Sequence, residues 1–172
     1  SLGIETMGGL MEKIIPRNSP IPAIREQIFT TNENGQTSIK IKILQGEREV
    51  TSANNTLDEF VLSGLEPKPA GITRIKVRFS LDVDGILLVS AIDESSGKEN
   101  TLVVKTNDQL SIQEMRELVS SSIQNAKKDI DLRLLIETKI KATKLINEIN
   151  NVKPRMNEIC TPKESEEINK NI

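Results

Sequence analysis

Residues 29–44 read FTTNENGQTSIKIKIL, and the reading of this stretch decides the fold. Ile39, Ile41 and Ile43 alternate with Ser38, Lys40 and Lys42. Strand side chains point to opposite faces with a period of two, so one face of this segment is apolar and the other wet. Before it, the tip Asn32-Glu33-Asn34-Gly35 ends in Asn-Gly, a strong turn signal because both residues accept a positive φ. The stretch therefore predicts a hairpin between strands at 25–31 and 37–44. Its apolar row either fills the core or lines a pocket for an apolar ligand. Alternation alone leaves that choice open.

Working outward, the same texture of short alternating runs and turn residues covers the chain to about Thr106. Strands are expected at 1–5 and 10–15, separated by Met7-Gly8-Gly9 and closed by Pro16-Arg17-Asn18-Ser19-Pro20, which cannot sit in a sheet centre. Further strands are expected at 56–62, 75–83, 86–92 and 100–105, with a loop at 64–71. Turns fall at Gln45-Gly46-Glu47-Arg48, Asp82-Val83-Asp84-Gly85 and Ser95-Ser96-Gly97. About eight short strands at this spacing predict an antiparallel β-sandwich.

The period then changes. Ser111-Ile112-Gln113-Glu114 has the form of a capping box. Met115, Leu118, Val119, Ile123, Ala126, Ile130 and Leu134 follow at helical steps, and neither Gly nor Pro interrupts the chain from Gln109 to Lys153. One helix or a helix pair fits here. At 1.5 Å per residue it would outreach so small a sandwich, starting on it and projecting across or beyond. The chain thus reads as mainly β with α, a sandwich over 1–108 and a helical part over 109–172, with a short further helix near 163–171.

Composition narrows the function. The chain has 172 residues, a net charge of −2, three Phe, no Tyr, no Trp and no His. Without aromatic rings, base stacking lacks its platform; without His, the commonest general base and metal ligand are missing. Neither a nucleic-acid nor a membrane partner is expected. The single Cys160 cannot form an internal disulfide and fits a reducing compartment. No phosphate-binding glycine motif, metal cluster or nucleophile motif is present, which leaves a hydrolase the least favoured class. Asp82 and Asp84 beside Gly85 fit a turn better than a calcium loop, whose remaining ligands are lacking. Arg74, Lys76 and Arg78 share a strand face, expected beside Lys40 and Lys42, and read as a solvated surface. The opening at Ser1, inside a strand-like pattern, suggests a piece cut from a longer protein.

The segments SLGIETMGGLMEKIIPRNSPIP (1–22), ILQGERE (43–49), FSLDVDGILLVSAIDESSGKE (79–99) and LSIQEM (110–115) resemble the C-terminal half of seventy-kilodalton heat-shock chaperones, the DnaK and HscA family. The resemblance runs without gaps to about residue 150. It implies a substrate-binding β-sandwich followed by an α-helical lid, without the N-terminal ATPase domain, which would hold ATP and Mg. The fragment itself is then not an enzyme and carries no cofactor. Carried over by position, Ile4, Phe29, Ile39, Ile41 and Ile75 would wall a channel for an extended peptide, with Ile39 and Ile41 as the principal pair. Met7 and Asn32 would arch over the peptide, and Thr6, Thr30, Gln36 and Ser38 would lie along it. Arg17, Pro22 and Asp84 match positions that face the ATPase domain.

Departures from the family pattern carry expectations of their own. The charged pairs that latch the lid fall here on Ala70 with Thr143 and on Asn34 with Asn147, so a loosely held lid is expected. Asn32 replaces an apolar arch residue. The segment 9–22, with Gln36-Thr37 after the tip, and the lost latches look closer to the iron–sulphur-specialised HscA branch. That branch implies a Pro-containing client peptide on a scaffold protein, a J-type co-chaperone and a bacterial cytoplasmic setting. Two alternatives stand beside it: a general unfolded-protein binder of the DnaK type, and a structural sandwich with an oligomerising helix. The four-residue steps at Ile123, Ala126, Ile130 and Leu134 do not favour the latter's coiled coil. Self-association through the groove is also compatible.

Overall fold

The computed structural model describes residues 1–105 and 112–152. Eight strands precede one helix: β1 (Leu2–Thr6), β2 (Leu10–Ile15), β3 (Ala23–Thr30), β4 (Ser38–Gln45), β5 (Asn55–Ser63), β6 (Arg74–Leu81), β7 (Ile86–Asp93), β8 (Glu99–Lys105) and α1 (Ile112–Val152). They form two antiparallel four-stranded sheets, ordered β2-β1-β4-β5 and β3-β6-β7-β8. The mainly β architecture with a following helix is as expected. A 3-10 turn at Thr51–Ala53 was not legible in the sequence.

The hairpin expected from residues 29–44 does not form. β3 pairs with β6, whereas β4 pairs with β1 and β5, so the stretch crosses from one sheet to the other. Its polar tip bonds to the β5–β6 connection instead. Gly35 N–H donates to the Lys68 carbonyl at 2.9 Å, Gly71 N–H to Thr31 at 2.8 Å, and Ala70 N–H to Asn34 Oδ1 at 2.9 Å. Of the Asn-Gly pair only Gly35 takes a positive φ, 72°, so the tight two-residue turn is absent.

Alternation still buries the right rows. Ile41 and Ile43 of the first sheet and Ile75, Val77, Phe79 and Val89 of the second are at most 1% exposed, and they belong to one apolar cluster. Burying such side chains contributes about 1.5–3 kcal/mol each, which fixes the register because a one-residue slip would expose the whole row. Lys40 and Lys42 lie in the first sheet, not beside Arg74, Lys76 and Arg78 of the second. Each of these five cations is paired: Lys40 with Glu59, Lys42 with Glu5, Arg74 and Lys76 with Glu94, and Arg78 with Glu26. β6 ends at Leu81. Beyond it Asp82 Oδ1 accepts from Asp84 N–H at 2.9 Å and Ile86 N–H at 2.8 Å, the expected turn.

The chain divides into two compact units, Ser1–Arg133 and Leu134–Ile172, with the division inside α1. The boundary expected at residues 108 and 109, the Ser111 cap, Cys160 and the short helix near 163–171 all lie outside the described residues. α1 is a single helix of 41 residues. Within the first unit its contact with the sheets is polar, and several residues of the expected apolar stripe are open to solvent, Ile123 at 69% and Ile130 at 63%. The burial pattern therefore reverses the ordinary expectation for an amphipathic helix. Charged residues on the β4–β5 connection supply the reason.

Candidate functional site

Two loops meet over the edges of the apolar core: the β1–β2 connection around Met7-Gly8-Gly9 and the crossover after β3. Between them lies a cleft of about 530 Å³, lined by Ile4, Glu5, Thr6, Met7, Gly8, Gly9, Phe29, Thr30, Asn32 and residues 39–42. That volume falls in the range of roughly 300–1,000 Å³ typical of ligand-binding clefts. Each sheet contributes walls by register. Ile4 on β1 stands opposite Ile43 on β4, Ile41 opposite Phe60 on β5, and Phe29 on β3 opposite Ile75 on β6.

The sequence-derived site residues separate into groups. Ile4, Thr6, Met7, Phe29, Thr30, Asn32, Ile39 and Ile41 come together on the cleft. Ile4 and Ile41 are only 2% and 1% exposed, so they form its floor; Met7, 41% exposed, stands at its rim. Ile75 is completely buried in the core beneath, beside Phe29. Gln36 and Ser38 shape the loop: Gln36 Oε1 accepts from Asn32 N–H at 3.0 Å and Glu33 N–H at 3.4 Å, and its Nε2 donates to the Ser38 carbonyl at 2.7 Å. Arg17, Pro22 and Asp84 are exposed. Of the expected latch positions, Asn34 and Ala70 are bonded to each other, and Thr143 Oγ1 donates within the helix to the Lys139 carbonyl at 2.9 Å.

The cleft's charges are largely neutralised. Glu5 pairs with Lys42 at 3.0 Å and Lys40 with Glu59 at 2.8 Å, and Thr6 Oγ1 is turned to the Leu10 carbonyl at 3.3 Å. The result is an apolar floor with a polar rim. Such a surface can take an apolar side chain while main-chain and rim groups meet the ligand's amides.

A second constellation escaped sequence reasoning altogether. Arg48 donates to Asp129 twice, Nε to Oδ2 at 2.5 Å and Nη2 to Oδ1 at 2.7 Å, and reaches Ser121 Oγ at 3.3 Å. Arg133 Nη1 donates to Glu49 at 2.6 Å and Nη2 to Glu12 at 3.4 Å, while Lys13 also bonds Glu49 and Gln27 bonds Glu12. The Arg48 guanidinium, acting against burial, holds the Asp129 carboxyl below its ordinary range. Burial pushes Glu49 up, but hydrogen bonds from Arg133 and Lys13 and their charges outweigh it and leave that carboxyl lowered. The partners lie 81 and 84 positions apart, so no local spacing announces them. The helical step of four from Asp129 to Arg133 was the available signal.

Comparison with known proteins adds the family context. A family model described as Hsp70 protein matches residues 1–172. Similar relatives include the chaperone protein HscA homolog of Tolumonas auensis, 46% identical over 149 residues, which are 87% of this chain and 24% of that protein. Chaperone protein HscA of Proteus mirabilis is 45% identical over 149 residues, with the same shares of 87% and 24%. Chaperone protein DnaK of Mesomycoplasma hyopneumoniae is 40% identical over 172 residues, 100% of this chain and 29% of that protein. The chain thus spans about a quarter of the length of the curated relatives it matches.

Proposed function

The chain belongs to the Hsp70 family, and on that premise we propose that it is a chaperone's peptide-holding part, a β-sandwich with α1 beginning its lid. The cleft receives an extended apolar or Pro-containing segment of a client protein. Ile39 and Ile41 grip one side chain, and Met7 and Asn32 close over the backbone. The observation that carries this reading is the apolar-floored cleft itself, lined from both sheets by Ile4, Phe29, Ile39 and Ile41.

An extended peptide offers unpaired amides along its length, so rim groups bind it without reading sequence. One side chain fully buried on the floor adds about 1.5–3 kcal/mol and supplies selectivity for Leu, Ile, Val or Pro. The client is an iron–sulphur cluster scaffold protein, brought by a J-type co-chaperone in a bacterial cytoplasm. In the full-length protein an ATPase domain, carrying ATP and Mg, switches the cleft's affinity through the exposed Arg17, Pro22 and Asp84. The second reading, a general unfolded-protein binder, draws support from the DnaK relative that aligns over the whole chain.

Fluorescence anisotropy with two labelled peptides tests both. One is a Pro-containing segment of an iron–sulphur scaffold protein and the other a generic Leu-rich peptide; each is measured on the wild type and on Ile39→Asp. Binding of the first alone, lost in the variant, supports the specialised chaperone. Comparable binding of both, also lost in the variant, supports the general one. No binding of either by a folded, monomeric sample removes the cleft assignment.

A further inference from the structure

The cleft's rim contains a polar group that the fold itself does not use. The crossover loop at 31–37 is held from several sides. Thr31, Asn34 and Gly35 bond to the 68–71 segment, Thr37 accepts from Leu65 N–H at 2.9 Å, and Gln36 Oε1 takes the N–H groups of Asn32 and Glu33. This leaves the Asn32 carboxamide, exposed and lining the cleft, with no hydrogen-bond partner among the described residues. Of the other polar side chains on the cleft, all but the short Thr30 hydroxyl are engaged among the described residues. Glu5, Lys40 and Lys42 are ion-paired, and the Thr6 hydroxyl donates to Leu10.

We infer that Asn32 is a peptide-binding residue whose side-chain amide hydrogen-bonds a main-chain peptide group of the bound segment. This rests on the peptide-holding reading above. A carboxamide carries one acceptor and two donors, which complement the C=O and N–H of a peptide unit. The anchored loop backbone pre-places it, so little ordering cost opposes the bond. The apolar floor nearby lowers the competition from water. Because the bond is to the main chain, it raises affinity for every extended segment. Where a proline faces Asn32, only the carbonyl remains to be bonded, since proline lacks the N–H.

The test is a double-mutant cycle read by anisotropy. Wild type, Asn32→Ala and Thr30→Val are each titrated with the tightest-binding labelled peptide of the previous experiment. They are also titrated with a series in which its backbone amides are replaced one at a time by esters. Loss of one neutral hydrogen bond weakens binding about 2- to 10-fold, so Asn32→Ala falls by that factor. At one ester position the two losses cease to multiply, while Thr30→Val multiplies with the ester at that position. Asn32 is an exposed loop residue, and an unchanged thermal melt verifies that the variant is folded. Equal affinity of Asn32→Ala and wild type, or independent losses at every ester position, overturns the inference. Ile39→Asp, run alongside, separates the two levels. If it abolishes binding while Asn32→Ala changes nothing, only the Asn32 role fails. If Ile39→Asp binds normally, the cleft reading fails and takes this inference with it.

Discussion

The interior between the two sheets and the seat of α1 on the first sheet are built from opposite materials. The interior is aliphatic, with Phe79, Val77, Val89 and Ile43 at zero exposure. The seat is ionic: Arg48 with Asp129, and Arg133 with Glu49 and Glu12. Apolar packing is non-directional and is not weakened by ionic screening, and it commits the strands to a single cooperative body. Ion pairs depend on geometry, pH and ionic strength, and they can be broken without disturbing what lies beneath. The difference teaches that helix and sheets can be uncoupled by chemistry that leaves the sheets intact.

The largest expected effect would break the interior. Phe79→Ala removes a fully buried ring and should cost about 3–5 kcal/mol, read as a lowered urea midpoint in which both sheets melt together. Sheets that melted in separate steps would contradict the single core.

Next comes the seat. Arg48→Ala strands Asp129, whose side chain is only 6% exposed. Leaving a buried charge unpaired costs about 3–5 kcal/mol, but the helix can relieve this by lifting away, so the net loss is smaller. Amide exchange should accelerate over residues 121–133 while the β-strand amides stay protected. Strand exchange rising in parallel would mean that seat and interior are one cooperative unit.

A gentler lever is pH. Asp129 and Glu49 have carboxyl pKa values lowered in the folded state, so they contribute stability in full above the ordinary carboxylate value of about 4. The contribution is lost as pH falls through their depressed values. Helix amides should therefore lose protection below about pH 4, ahead of those in the strands. High salt should weaken the half-exposed Arg133 pairs before the shielded Arg48 pair. Simultaneous loss across helix and strands would erase the distinction.

The smallest effect sharpens the interior. Among the described residues the buried Thr73 hydroxyl has no hydrogen-bond partner, so Thr73→Val should stabilise the sheets by about 1 kcal/mol in the same urea titration. A lowered midpoint would indicate a bond to that hydroxyl in solution.

Much of this was legible in the chain. The alternation at Ile39, Ile41 and Ile43 marked a half-buried strand, and the run without Gly or Pro marked the helix, because side-chain direction and backbone propensity are local properties. Eight of the eleven residues assigned to the peptide channel line one cleft, but that grouping came from family resemblance; periodicity had left core and pocket undecided. The Asn-Gly tip shows the limit. Its turn chemistry predicted a hairpin, yet the loop found its hydrogen-bond partners at Lys68, Ala70 and Gly71, and β3 and β4 went to different sheets.

Local sequence thus determined which residues extend, which coil and which side of each strand is apolar. Tertiary structure alone decided which strands pair, that the loops after β1 and β3 meet over a cleft, and that Arg48 finds Asp129. The physical reason is range. Dihedral preferences and periodicity act over a few residues, whereas strand partners, cleft walls and buried ion pairs are selected among distant groups by the burial and charge balance of the whole chain.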